Sequence, residues 1–147
     1  DTNYSDVQWW LEWYTATGAT AVTVTVNVTY DDGTTGALAA ASLAATRPAS
    51  FMLSLNALIP AAASGRYIRA VNTVTLSATT GTAGSFGVTA TRPRMTLAAP
   101  IANMKFVADW AQLGFPEIFN ESCLFPIVLT STTSTGTVRG GGKISHG

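Results

Sequence analysis

The sequence predicts an all-β fold, a two-sheet antiparallel sandwich of jelly-roll or immunoglobulin-like type. Three observations indicate it. Residues 20–30 alternate apolar and polar side chains almost without interruption. Further runs rich in Thr and Val are separated by turns that contain Gly, Asp or Pro. Only one short stretch, near residues 101–113, has helical content, and the 147 residues are enough for one domain with its own core.

The segment 20–30 is the clearest strand, because successive side chains of an extended chain point to opposite faces. One side is neutral and polar, and such a face suits chains that pack against copies or partners, whereas exposed strands are usually protected by Lys and Glu. We therefore predict an inner apolar face and an outer contact face. The inner residues are Val22, Val24, Val26, Val28 and Tyr30, and the outer residues are Thr23, Thr25, Asn27 and Thr29.

The first strand is predicted over residues 7–14, where three tryptophans occur within five residues. Alternation places Trp9, Leu11 and Trp13 on one face. Trp10 and Tyr14 fall on the polar side, where they either cover the edge of the core or face a partner. Because a Thr-Gly turn follows, we expect the first two strands to form an antiparallel hairpin.

The middle of the chain predicts further strands separated by turns. Asp31-Asp32-Gly33 is a turn signal, and residues 34–45 predict a short strand and a loop. Residues 51–58 predict another strand. Residues 67–78 predict a second long strand, whose apolar residues fall at three-residue steps and so indicate a bulge or a switch between sheets. Residues 74–91 then predict a second hairpin.

The character of the chain changes after Pro93. Pro100 can open a helix, the apolar residues of 101–113 have helical spacing, and Gly114 can end it. Strands are predicted at 124–130 and 132–138, followed by a flexible or docking tail. We thus expect residues 1–92 to supply the core hairpins, and residues 93–147 to supply the helix, returning strands and tail of the same single domain.

Charged residues are scarce. The net charge is zero, and 11% of residues are charged, against about 25% in an average soluble domain. This low charge indicates a surface that is largely covered in the working state. The basic residues are scattered, which argues against direct nucleic-acid binding, and no apolar stretch has the length of a membrane span. Cys123, the only cysteine, is predicted to be a buried small apolar residue, and no intrachain disulfide can form.

The sequence offers few catalytic groups. His146 is the only histidine, and no His/Cys cluster could hold zinc or iron. Asp109 with Glu117, or Glu117 with Glu121, could form an acid/base pair, but a polar surface is the favoured interpretation. The two aspartates of the 31–33 turn are interpreted as a turn, not as calcium ligands. We predict no catalytic residue, no metal and no cofactor, and therefore not an enzyme.

Aromatic residues on the predicted polar face allow one ligand hypothesis. Exposed Trp10, Tyr14 and Tyr67 could stack on sugars, although use in the core or in an interface is favoured. The candidate interface predicted from the sequence combines two aromatic rings with the neutral outer face of the second strand. Its residues are Trp10, Tyr14, Thr23, Thr25, Asn27 and Thr29.

Three regions carry a family resemblance. Residues 18–26 (Gly-Ala-Thr-Ala-Val-Thr-Val-Thr-Val), residues 74–89 (Val-Thr-Leu-Ser-Ala-Thr-Thr-Gly-Thr-Ala-Gly-Ser-Phe-Gly-Val-Thr) and the region 93–129 resemble small virion structural proteins of tailed bacteriophages, such as capsid decoration or head-associated auxiliary proteins. The resemblance implies a non-enzymatic homo-oligomer of the virion that binds the major capsid protein or another virion protein. The alternatives are a subunit of an extracellular fibre, pilus or tail appendage, and a carbohydrate-binding adhesin module.

Overall fold

The computed structural model describes residues 3–81, 84–98, 105–114, 118 and 120–129. Within these residues, seven strands form two antiparallel sheets, which confirms the predicted all-β sandwich. The strands are β1 (Gln8–Trp13), β2 (Val22–Tyr30), β3 (Thr35–Ala37), β4 (Ala41–Leu43), β5 (Met52–Ser54), β6 (Ile68–Leu76) and β7 (Phe86–Thr91). Contacts divide the chain into two units, residues 1–115 and 116–147, and all seven strands belong to the first.

Each sheet is built around one long central strand. Sheet A has the order β5-β1-β7. In sheet B, β6 pairs with one edge of β2, while β3 and β4 share the other edge. β3 pairs with the C-terminal half of β2 and β4 with its N-terminal half. Between them the Leu38 N–H donates to the Val26 carbonyl at 2.8 Å, so the chain follows β2 through the gap.

The core lies between the inner faces of the two sheets. The valines of β2 are buried together with Leu11 and Trp13 of β1, as the alternation of both strands predicts. The Trp13 ring lies 5.9 Å from the Phe51 ring and 5.8 Å from the Phe86 ring, measured between centroids. The buried residues of this cluster are Leu11, Trp13, Val22, Val24, Val26, Val28, Tyr30, Leu38, Leu43, Leu55, Ala63 and Ile68.

Both predicted hairpins are wrong. β1 and β2 lie in different sheets, and so do β6 and β7, so each pair is joined by a crossing between sheets. The two crossings meet, since the Thr20 N–H donates to the Thr80 carbonyl at 3.2 Å and the Ser85 N–H donates to the Thr15 hydroxyl at 2.8 Å. Alternation identifies the inner face of a strand but not the strand that lies beside it. Two consecutive amphipathic strands bury their apolar faces equally well when they lie in opposite sheets as when they pair in a hairpin.

The predicted bulge in the second long strand is confirmed. The register of β6 against β2 shifts between Asn27 and Val28 and again between Thr29 and Tyr30. These shifts explain why the apolar residues of this strand do not keep one parity, because each extra residue reverses the faces that follow it.

The C-terminal predictions hold less well. Residues 105–109 are not helical, and the predicted helix is reduced to one turn, α1 (Trp110–Leu113); residues 101–104 lie outside the described part. Val107 is 89% exposed, and a short amphipathic helix has little stability without packing. Residues 124–129 form no strand, Cys123 is exposed, not buried, and residues 132–147 are not described. Within the described ranges, no helix is long and apolar enough to cross a membrane.

Candidate functional site

The outer face of sheet B is a neutral polar surface, which we call the threonine face. It centres on β2, where Thr25 pairs with Thr75 and Asn27 pairs with Thr73 of β6. Because the opposite face of β2 is buried, these side chains all point away from the core. The threonine face consists of Thr23, Thr25, Asn27, Thr29, Ser42, Asn72, Thr73, Thr75 and Ser77.

Side chains on the threonine face hydrogen-bond to one another. The Asn27 amide donates to the Thr73 hydroxyl at 3.1 Å, and the Asn72 amide donates to the Thr29 hydroxyl at 3.0 Å. The Ser77 hydroxyl accepts the Thr23 backbone N–H at 2.9 Å. These bonds restrict the orientations of the side chains on this face.

The strands of sheet B contain almost no charged residues. β2, β3 and β4 contain no charged residue, and Arg69 is the only one in β6. Burying this face would therefore desolvate no ion. It would also cost little side-chain entropy, because threonine has few rotamers and a stiff χ1. Such a surface can pack against another flat, uncharged protein surface, and none of its nine side chains is ionisable, so it holds no acid or base that could activate its hydroxyls.

Apart from Arg69, a group of charged residues lies at the end of β2. The Asp32 carboxylate accepts hydrogen bonds from the Thr34 hydroxyl at 2.6 Å and the Thr34 N–H at 2.9 Å, and it lies 3.4 Å from the Arg66 guanidinium. The Thr34 hydroxyl, the Thr34 N–H and the Arg66 charge lower the pKa of Asp32. Asp31 accepts the Tyr67 N–H at 3.0 Å. These carboxylates are used to close the turn, and the described residues contain no metal-binding cluster.

The structure separates the predicted interface residues into two groups. Thr23, Thr25 and Asn27 are exposed on the threonine face as predicted, and Thr29 is half-buried there. Trp10 belongs to β1 of sheet A and Tyr14 directly follows β1, and the outer side of sheet A faces away from sheet B because the core lies between the sheets. The six residues therefore do not form one surface.

Trp10 corrects the prediction most clearly. Its side chain is only 8% exposed although it lies on the side of β1 opposite to Leu11 and Trp13. The indole Nε1–H donates to the Thr91 hydroxyl of β7 at 2.9 Å, so the ring is held against the neighbouring strand with its polar atom satisfied. A buried ring is not available for a partner, whereas the Tyr14 ring is 53% exposed.

The three rings considered for sugar stacking do not form a platform. Tyr14 lies where the two crossings between the sheets meet, a region that we call the crossing end, and its N–H donates to the Ser85 carbonyl there. Tyr67 is bonded to Asp31 at the opposite end of β2, and Trp10 is buried. Stacking on a glycan requires adjacent exposed ring faces, which these positions do not provide.

Sequence reasoning missed the part of the threonine face that β6 supplies, namely Asn72, Thr73, Thr75 and Ser77. The bulges obscured its alternation, because they break the two-residue period in the first half of the strand. A signal existed in Thr73, Thr75 and Ser77, which alternate with Val74 and Leu76 as the threonines of β2 do.

Of the candidate acid/base pairs, Asp109–Glu117 and Glu117–Glu121, neither is described with both members. The Asp109 carboxylate accepts the Gln112 N–H at 2.8 Å, as a cap on the single turn α1, while Glu117 and His146 lie outside the described residues. A concave region of about 720 Å³ lies at the crossing end, bordered by Trp13, Leu76, Thr79, Thr80 and Phe86. Among the described residues that line it, none is ionisable.

Comparison with known proteins finds no family model, no curated protein and no solved structure that matches this chain.

Proposed function

We propose that this protein is a non-enzymatic virion structural protein that decorates or stabilises a phage capsid. In this proposal it acts as a homo-oligomer and binds the major capsid protein or another virion protein through the threonine face. The virion setting comes from the sequence resemblance. The observation that supports a contact role is the uncharged outer face of sheet B, since the strands of this sheet carry one charged residue, Arg69.

The physical basis is the low cost of covering this face. Its hydroxyls and amides are already paired in part, and its side chains are short. A partner that offers polar groups at the periphery and methyl groups at the centre could cover it without burying an unpaired charge. Contacts that exist only in the assembled shell would stabilise that shell by mass action.

The test substitutes Thr25 at the centre of the face. Thr25→Lys places a charge where the partner would exclude water, so we expect binding to purified capsid shells of the source phage to weaken roughly tenfold or more. The fold should persist, because the side chain is exposed. Ser64→Lys, at an exposed position after a short 3₁₀ turn, adds the same charge away from the sheets and should leave binding unchanged. Equal shell binding by both variants would contradict the proposal.

A second candidate is a subunit of an extracellular fibre, pilus or tail appendage, joined by strand addition. One observation favours it, namely that no described strand pairs with the edge of β6 opposite to β2. Head-to-tail addition would produce filaments from the purified chain alone, which electron microscopy would detect. Closed oligomers of fixed size would argue for the capsid proposal instead.

A further inference from the structure

The outer edge of β6 offers backbone hydrogen-bonding groups. The Ser77 N–H donates to the Thr23 carbonyl at 2.9 Å, so this pair bonds directly across the two strands. Bonded and non-bonded pairs alternate in an antiparallel ladder. Thr75 and Thr73 therefore also turn their N–H and C=O groups towards β2, whereas Val74 and Leu76 turn theirs to the edge that no described strand occupies.

Only the C-terminal part of this edge is regular. The two register shifts fall in the first half of β6, where Arg69 and Asn72 are the extra residues. Bulges of this kind protect an edge from pairing. Residues 73–77 follow β2 without interruption, and they contain neither a charge nor a proline. The open part of the edge is therefore short, neutral and regular.

We propose that this edge pairs with β6 of a second copy of the chain, antiparallel about a twofold axis at Thr75. Val74 then pairs with Leu76 of the partner subunit, and Leu76 pairs with the partner's Val74. Each pair exchanges two backbone hydrogen bonds, which uses all the groups that the regular edge turns outward. The inference deepens the homo-oligomer of the proposed function and rests on it, but it concerns an edge, not a face.

Self-pairing fits the composition of the edge. On the axis, Thr75 lies beside the partner's Thr75, a favourable neutral pair, whereas a charge there would face its own copy. Arg69 lies beyond the paired segment and would not oppose the partner's Arg69. The axis is perpendicular to the sheet, so both threonine faces lie on the same side of one continuous sheet. The dimer thus presents a larger surface for a partner lattice.

Disulfide trapping tests the register. In a Cys123→Ser background, Thr75→Cys places two sulfurs on the axis, where the Cα atoms of a non-hydrogen-bonded pair lie about 4.5 Å apart, within disulfide range. Thr73→Cys is the matched control, because its two copies would lie about 13 Å apart along the strands. We expect mild oxidation to trap a dimer with Thr75→Cys alone. Equal trapping by both variants, or trapping by neither, would overturn the proposal.

A backbone substitution tests the bonds themselves. Val74→Pro removes an N–H that points away from β2, so the hydrogen bonds between β6 and β2 are kept. Because both subunits carry the substitution, the dimer loses two donors. We expect dimerisation, followed by light scattering over a concentration series, to weaken roughly tenfold or more. Circular dichroism monitors the fold, and if this variant does not fold, disulfide trapping decides alone. Unchanged dimerisation of a folded variant would contradict the proposal.

The two proposals fail in distinguishable ways. Thr25→Lys alters the face and should leave dimerisation, followed by light scattering, intact, because Thr25 lies on the β2 side of Thr75, away from the edge that pairs. A chain that stays monomeric but binds shells in a manner sensitive to Thr25→Lys overturns only the edge pairing. A dimer whose shell binding ignores Thr25→Lys overturns only the face. Filaments in place of dimers would overturn the twofold pairing.

Discussion

β1 and β2 are the central strands of the two sheets, and both present an apolar inner face to the same core, yet their outer faces differ. Along β2, buried and exposed residues alternate, and the outer side carries short neutral groups. β1 buries Trp10 on its outer side as well as Leu11 and Trp13 on its inner side. The outer side of β2 is mostly exposed, whereas the outer side of β1 buries one large ring between the half-buried Gln8 and Glu12.

The polar groups of the two outer faces are also used differently. On sheet A, the Trp10 indole is bonded to Thr91, and the Glu12 carboxylate accepts the Thr89 hydroxyl at 2.9 Å. These bonds join β1 to its neighbour β7 and anchor a large ring and a charge. On the threonine face, the side chains are small and uncharged, so a partner could cover them at little cost. The comparison teaches that a polar strand face can serve the fold or remain available for contact.

The largest expected effect is at the inner face of β1. Trp13→Ala removes a ring that is 1% exposed and contacts two other rings, so we expect the free energy of unfolding to fall by about 3–5 kcal/mol. Tyr14→Ala, at the exposed next position, should cost far less. Urea denaturation of both variants measures the difference, and similar losses would show that this end of β1 does not distinguish inside from outside.

A smaller effect is expected from exchanging side chains between the faces of β2. Val26→Thr places a hydroxyl in the core at nearly constant volume, and we expect it to cost about 1–3 kcal/mol of unfolding free energy. Thr25→Val makes the reverse change on the exposed face and should alter stability by at most about 0.5 kcal/mol. Thermal and urea unfolding measure both variants. If the two substitutions change the free energy of unfolding equally, the outer face of β2 is not solvent-exposed in the isolated chain.

The smallest effect concerns the bond that holds Trp10. Thr91→Val removes the acceptor of the indole N–H and should destabilise the protein by about 1 kcal/mol. Trp10→Phe removes the donor, so the double variant should lose less than the sum of the single variants. The cycle is measured by urea unfolding. Strict additivity would mean that the ring is held by packing alone, and the outer face of β1 would then resemble an ordinary apolar face.

The local alternation of apolar and polar residues predicted much of the fold. The alternation of residues 20–30 predicted β2, its buried side and its exposed side, because a two-residue period directly specifies two faces. The parity break in residues 67–78 predicted the bulges of β6. In the described residues, the predicted helix at 101–113 is present only as the turn α1, and the predicted strand at 124–130 does not form. Short segments of weak periodicity depend on tertiary contacts for their stability.

The sequence by itself determined the four longest strands (β1, β2, β6 and β7), the core face of β2 and the absence of charge from its outer face, because these follow from the order of neighbouring residues. The tertiary structure alone decided that β1 and β2 lie in different sheets, that Trp10 is buried, and that β6 completes the threonine face with one edge left unpaired by the described strands. The physical reason is that strand pairing is non-local. An amphipathic strand requires a core to cover one face, but its own residues do not specify which strand lies beside it.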